Sequence, residues 1–351
     1  MLRRPIRART TAAAAAILAL AACAAPATPP GRQTASATPA SRLKAMEALY
    51  PPWQEGANDD AANKGLNFTV APIDVLADFH GSLTDPALVL YVGGNYFFAM
   101  APLVAAFEQA YPRYRGRIYY ETLPPGILER QIRMGGTVTS GNMTWTARPD
   151  VYMAGLQKVR GLIGDGLLRG PPVAYVTNEL TIMVPAGNPG HVTGLRDLSR
   201  PDLPLVMPNP QFEGVARQIR ASLVKAGGET LANAVYGAKV QDGTTVLTRI
   251  HHRQTPLLLM QGLGEAGVTW ASEAAFQEQV GHPISHVSIP PAENTTAIYA
   301  AAMAEGAAHP RAARDWLRFI TTDAAFAVFQ SYGFKRYDGA TAASGTREDT
   351  R

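Results

Sequence analysis

The densest grouping of cationic and hydrogen-bonding side chains is His251-His252-Arg253-Gln254-Thr255-Pro256. Thr255 suits a helix N-cap and Pro256 the first helical position, which places the cluster just ahead of a helix. An arginine there can hold an anion through paired N–H bonds, helped by the positive helix end. The alternative reading is a solvated loop. His251 and His252 could also ligate a metal, although neighbours on an extended chain point opposite ways.

Three other stretches could meet an anion with backbone N–H groups. In Gly93-Gly94-Asn95-Tyr96-Phe97 the glycines allow close backbone approach and Asn95 can donate and accept; the alternative is a tight turn with two core aromatics. The run from Thr122 to Gly126 is weaker, because Pro124 and Pro125 have no N–H. Asn209-Pro210-Gln211-Phe212-Glu213-Gly214 precedes a helix and could equally be a capping loop. The candidate ligand-binding residues are Gly94, Asn95, Tyr96, Asn209, Gln211, Arg253, Gln254 and Thr255, to which Trp270 is added below.

These loops need strands and helices to aim them. LVLYV (88–92) is a continuous apolar run and reads as a buried strand, followed by a helical pattern that stops at Pro112. RIYYE (117–121), DVYMAG (150–155), LTIMVP (180–185), PLVMPNP (204–210) and AGVTWA (266–271) read as further strands. Helices are expected at ILERQIRMGG (127–136), GVARQIRASLVKAGG (214–228) and Pro256 to Leu263. HVSIP and AIYAAAMAEG read as paired strands. HPRAARDWLRFI and DAAFAVFQSYGF read as amphipathic helices. LKAMEALYPPW (43–53) suggests a short helix and NFTVAPIDVLADFHG (67–81) a strand and loop. The alternation predicts an α/β fold with mainly parallel sheets, in which ligands sit beyond the strands' carboxyl ends.

The first 23 residues say where the chain works. Arg3, Arg4, Arg7 and Arg9 precede a short apolar run that ends in Leu20-Ala21-Ala22-Cys23, a secretory signal. The LAAC ending resembles a bacterial lipobox, and Cys23, the only cysteine, is the expected lipidation site. Acyl chains contribute about 0.8 kcal/mol per buried CH₂, so several would hold the protein on a membrane surface. Removing the signal takes four of the 32 basic residues and leaves 28 against 28 acidic ones. The high isoelectric point belongs to the signal, and nothing argues for nucleic acid. Residues 24–42 are small and Pro-rich, as expected of a disordered tether, and 338–351 read as a disordered tail.

From Leu88 to Tyr337 the chain resembles bacterial extracytoplasmic solute-binding proteins of the two-lobed, type II kind, nearest to the molybdate-binding group of ABC importers. The likeness is carried, in order, by PDVYMAG (149–155), by ELTIMVPAGNPGHVTGLRDLSRPDLPLVMPNP (179–210), by GEAGVTWASEA (264–274) and by AAHPRAARDWLRFITTDAAFAVFQSYGF (307–334). The resemblance implies an α/β, two-lobed type II periplasmic-binding-protein fold with a hinge of crossing strands. Lobe 1 would be 87–175 with 292–337, lobe 2 would be 176–291, and 43–86 an N-terminal extension.

It also implies a small anionic ligand held between the lobes and delivered to an inner-membrane ABC permease. The protein would be a lipid-anchored monomer at the periplasmic face, without cofactor or metal. Trp270 sits where the molybdate group places a Tyr near its ligand. That group offers hydroxyls from its first two loops; here the first has Asn95, Tyr96 and Phe97 and the second has Pro124 and Pro125. Those aromatics, with Trp270 and Arg253, suit a larger organic anion at least as well. An accessory binding lipoprotein for an organic anion, acting with a non-transporter partner, is the alternative role.

An enzyme is disfavoured. Gly262-Leu263-Gly264-Glu265-Ala266-Gly267 matches GxGxxG by letter, but it follows a helix and precedes a strand, the reverse of the dinucleotide fingerprint. GxSxG, HExxH and CxxC are absent from the sequence.

Overall fold

The computed structural model describes residues 38–42, 78–140, 143–211, 213–249 and 251–339. The signal peptide, Cys23, most of the tether, the helix expected at 43–53, Phe212 and residues 340–351 lie outside the described residues.

The fold is organised around one long strand. Strands β1 (Asp78–Gly81), β2 (Leu88–Gly93), β3 (Ile118–Leu123), β6 (Val151–Gly155), β7 (Leu168–Pro185), β10 (Gly267–Trp270) and β12 (Thr296–Ala304) form a sheet in the order β1-β3-β2-β6-β12-β7-β10. Strands β11 (Ile284–Ser288) and β13 (Lys335–Arg336) also pair with β7. Along β7 the partners change: Glu179 still faces Thr296 of β12, whereas Leu180 faces Trp270 of β10. We call the parts on the two sides of that handover the first and second halves. The second half adds the parallel pair β8 (Leu205–Met207) and β9 (Thr245–Leu247), joined to β10 through a bridge between Leu205 and Ala266. The expected crossing strands are thus β7 outward and β12 back.

The parallel character is confined to the inner strands, β3-β2-β6 and β8-β9. The pairs made by β1, β7 and β12 are antiparallel, because a strand that crosses and its return must run in opposite directions. This corrects the expectation of mainly parallel sheets. The inner strand β2 (LVLYVG) is buried along its whole length, as strands covered on both faces are. Even-numbered Leu88, Leu90 and Val92 face one apolar core, and Val89 and Tyr91 face another. Strands β11 and β12 do not pair with each other as expected; both pair with β7, which lies between them. The hairpin β4 (Thr137–Ser140) with β5 (Met143–Thr146) was not foreseen, and β1 joins the main sheet although it falls in the expected N-terminal extension.

Helices α1 (Phe97–Ala110), α2 (Pro125–Arg133) and α3 (Leu156–Gly164) follow β2, β3 and β6, and helix α4 (Gly214–Asn233) follows β8. Helix α4 runs past its expected end at Gly228, through a kink at Gly227 and Gly228. Helices α5 (Gln254–Met260) and α6 (Ala271–Gln279) flank β10, and α7 (Pro310–Phe319) with α8 (Asp323–Ser331) close the first half. Trp316 and Phe319 of α7 pack edge-on around Phe107 of α1, with ring centroids 5.0 and 5.3 Å away. This aromatic packing fixes α1, and with it the loop after β2.

Candidate functional site

The carboxyl ends of β2 and β3 meet the loop after β9, and Arg253 makes the connection. It stands at the N-cap of α5, two residues earlier than the expected cap at Thr255, and is only 2% exposed. Its Nε donates to the carbonyl of Gly94, and its Nη2 donates to the Thr122 carbonyl at 3.2 Å and to Thr122 Oγ1 at 2.9 Å. Its guanidinium lies 4.2 Å from the centroid of the Phe97 ring, a cation–π contact. One cation of the second half is therefore held by three acceptors and an aromatic face of the first.

Behind it lies a buried ionic group. The His252 ring sits between two carboxylates, with Nε2 3.0 Å from Glu273 Oε1 and Nδ1 3.5 Å from Glu213 Oε2. Both acids are within ion-pair distance of the ring. Burial disfavours the imidazolium, but Glu273 and then Glu213 outweigh it and raise the His252 pKa to about 9. Thr269 donates its hydroxyl to Glu273, Thr248 donates to Glu213, and the Asn209 N–H reaches Glu213 Oε1 at 3.0 Å. His251 packs ring to ring against His252 at 3.9 Å. Burial, with the charges of His252 and Arg253, pushes its pKa well down. The neutral ring accepts the Arg253 N–H at Nδ1, 3.2 Å away. The two histidines are thus stacked rather than diverging. Among the described residues no group of three or more His, Cys, Asp or Glu could hold a metal ion.

The other expected site residues divide. Asn95 donates its amide to Tyr299 on β12, and Tyr299 in turn bonds Asn178, which reaches Ser272 Oγ at 2.7 Å. This polar chain crosses the handover in β7. Tyr96 is a core side chain, correcting its expected place as a ligand group. Its hydroxyl meets that of Tyr175 at 2.7 Å and its ring packs edge-on against Tyr299. Asn209 and Gln211 lie in a turn before α4, which has no side-chain cap: Gln211 is exposed, and its N–H goes back to Asn209 Oδ1 at 3.0 Å. Gln254 is buried and accepts the Arg249 N–H at 2.8 Å. Thr255 is fully buried and its hydroxyl has no partner among the described residues. Trp270 is buried 6.2 Å from Tyr299, edge to face, at the start of α6. Pro124 and Pro125 begin α2, where a missing N–H costs nothing.

A small cavity between the halves is lined by Phe97, Arg253, Pro256, Glu273, Phe276 and Gln277. Thr122, Glu213, Glu273 and Phe276 were not singled out as contributors to the site. Their partners in the site are distant in sequence; Thr122, at the start of one flagged loop, and Glu213, within another, were the only hints.

The sequence pattern of the family described as bacterial extracellular solute-binding protein matches residues 88–335. The chain belongs to that family. Its members bind solutes outside the cytoplasm rather than transform them, and a cleft lined from two halves accords with that. The molybdate-binding protein ModA of Mycobacterium tuberculosis is 26% identical to this binding protein over 242 residues, 68% of this chain and 83% of ModA. The fold is similar to that of the sulfate-binding protein SubI from M. tuberculosis H37Rv, with TM-score 0.58 and 20% identity over 73% of this chain and 88% of SubI. It is also similar to L-phospholactate-bound PEB3, with TM-score 0.54 and 14% identity over 71% of this chain and all of PEB3.

Proposed function

We propose that this binding protein captures a small oxyanion between its halves, at Arg253, and delivers it to the permease of an ABC importer. The observation that carries the reading is a buried guanidinium of one half seated against the strand ends of the other. When the halves part by bending at β7 and β12, Arg253 leaves Gly94 and Thr122 and can take two oxygens of an anion. The Thr122 hydroxyl, in contact with Arg253, and the Gln277 amide, on the same cavity wall, are neutral donors near that position. The relatives named for molybdate and sulfate support an oxyanion of this class.

The Phe97 and Phe276 rings, 5.4 Å apart at the cavity wall, favour a second reading in which the anion carries an organic group. PEB3 with L-phospholactate is a precedent within the same fold. The anchor is proposed to be a diacylglyceryl group on Cys23. Replacing that residue, Cys23→Ala, should release the protein from the membrane fraction.

A thermal titration with molybdate, tungstate and sulfate tests the ligand. A ligand at 100 times its Kd stabilises by about 2.7 kcal/mol, a clear rise in Tm. A rise with molybdate or tungstate alone supports the oxyanion reading, and no rise with any of the three directs the search to organic anions. Arg253→Ala should weaken binding of the active anion by about 2 kcal/mol, roughly thirtyfold in Kd. Unchanged affinity would remove Arg253 from the site.

A further inference from the structure

The end of the expected tether is not free. Thr38 caps a single turn over residues 39–42: its hydroxyl accepts the Ser41 N–H at 3.2 Å, and Pro39 takes the first position. That turn lies on the second half. The Ala40 N–H donates to the Gly243 carbonyl at 3.3 Å, and Ala40 packs on the cluster of Met183, Val206, Val246, Leu258, Leu259 and Leu263. Arg42 donates to the carbonyl of Gly262 at 2.7 Å and to that of Gln261 at 3.4 Å. These two carbonyls sit just past the end of α5, where a cation is favoured. Gly243 makes room for the contact. Its φ is +79°, and a Cβ there would stand 3.0 Å from Thr38 Oγ1.

We infer that residues 38–42 are a docking clip that ties the tether to the outer pole of the second half and so sets which end of the protein faces the membrane. Gly243 lies just before β9, at the amino end of a strand whose carboxyl end leads to the cleft loop with Arg253. The clip therefore sits at the end of the second half away from the ligand. It also buttresses the far end of α5, the helix whose first turn carries Arg253. Fourteen residues lie between Cys23 and Thr38. A chain of that length spans at most about 50 Å, and roughly 20 Å on average if flexible. With the clip docked, the tether leaves the fold from the second half, so that half is the one tied directly to the anchor. This orientation rests on the lipid anchor proposed above, whereas the docking itself does not.

Two measurements separate the two parts. Hydrogen exchange on the chain from residue 23 carrying Cys23→Ser needs no lipid. Ala40→Asp, which puts a charge on the apolar cluster, should speed exchange of the amides of Leu263 and Gly262 at least fivefold. Arg42→Ala should do so to a smaller degree. Equal exchange in all three proteins would overturn the clip. For orientation, the lipidated protein is placed on vesicles containing an acceptor-labelled lipid, with a donor dye at Gln241→Cys in the second half or at Leu83→Cys at the outer end of the first. Energy transfer should be stronger from position 241, and Ala40→Asp should reduce the difference. Equal transfer from the two positions, or a difference that Ala40→Asp leaves intact, would overturn the orientation. Protein that never attaches to vesicles would refute the anchor and leave the exchange result to decide the clip.

Discussion

Each half of the molecule buries acid, and the two do so differently. In the first half Glu121 lies on β3 among Tyr91, Tyr119, Leu123 and Trp145. One carboxyl oxygen accepts the Tyr119 hydroxyl at 2.9 Å and the other has no partner. Burial raises its pKa to about 8, against the smaller opposing effect of the Tyr119 bond, so the group is held as a neutral acid at pH 7. In the second half Glu213 and Glu273 flank His252, which stays protonated. A lone buried acid is accommodated by keeping its proton, whereas the buried histidine set between two acids takes one up. That protonated histidine stands directly behind Arg253, where the halves meet. The neutral acid stands one residue before Thr122, on the face of β3 turned to an apolar core rather than to Arg253.

Removing that histidine should have the largest effect. His252→Ala leaves two buried carboxylates facing each other without a cation, and such losses cost about 3–5 kcal/mol. Urea unfolding at pH 6 would measure it. The pH dependence has a definite sign. The folded pKa of His252, about 9, lies above its unfolded value near 6.5. Its contribution is therefore fully present below pH 6.5 and is lost as pH rises through 9, a change on the order of 3 kcal/mol. A His252→Ala protein whose stability still falls as steeply between pH 8 and 9 would break the contrast.

Glu121 should behave in the opposite sense on substitution, with a smaller effect. It keeps its proton in the folded state up to pH 8 but loses it near 4.5 in the unfolded chain, so stability falls as pH rises between those values. Glu121→Met removes the ionisation and conserves volume, at the cost of the acceptor for Tyr119. A net gain of about 2 kcal/mol at pH 8, and little or none at pH 4.5, is expected. Thermal unfolding at the two pH values decides. Equal effects at both would mean that the carboxyl is not held neutral.

The sequence made the inner frame legible because buried parallel strands announce themselves as apolar runs, as in LVLYV and AGVTWA. It hid the first part of β7, because Gly170, Pro171 and Pro172 read as breakers. They are tolerated there where the burial pattern of the strand is exposed or intermediate. The hairpin of β4 and β5 was missed because TVTS and MTWT are mostly polar and short. At the site, Arg253 was visible because cationic and donor groups are adjacent in sequence. Its acceptors were not, since Gly94 and Thr122 are 159 and 131 residues away. Tyr96 misled because an aromatic after a glycine turn looks the same whether it faces ligand or core. The position of its hydroxyl against Tyr175 depends on β7, which local pattern does not place.

The smallest expected effect probes the contact itself. Gly94 has no unusual backbone requirement, but a Cβ there would lie 3.3 Å from Arg253 Cζ and Nη2. That is closer than comfortable contact, and the neighbour is the end of a long side chain that can shift. Gly94→Ala should therefore change stability by less than about 1 kcal/mol, because the buried glycine's only crowded neighbour is a side chain that can shift. It should nevertheless displace the guanidinium and lower affinity for the active anion two- to fivefold. Gly93→Ala is the control, because its Cβ would meet nothing closer than 3.4 Å and no part of Arg253. If Gly94→Ala instead costs as much as His252→Ala, the first half grips Arg253 as rigidly as the carboxylates grip His252. The guanidinium would then be a structural pin rather than a group poised to exchange acceptors for an anion. If only affinity moves, His252 and its two acids behind form the fixed wall of the cleft, and Arg253 is its adjustable face.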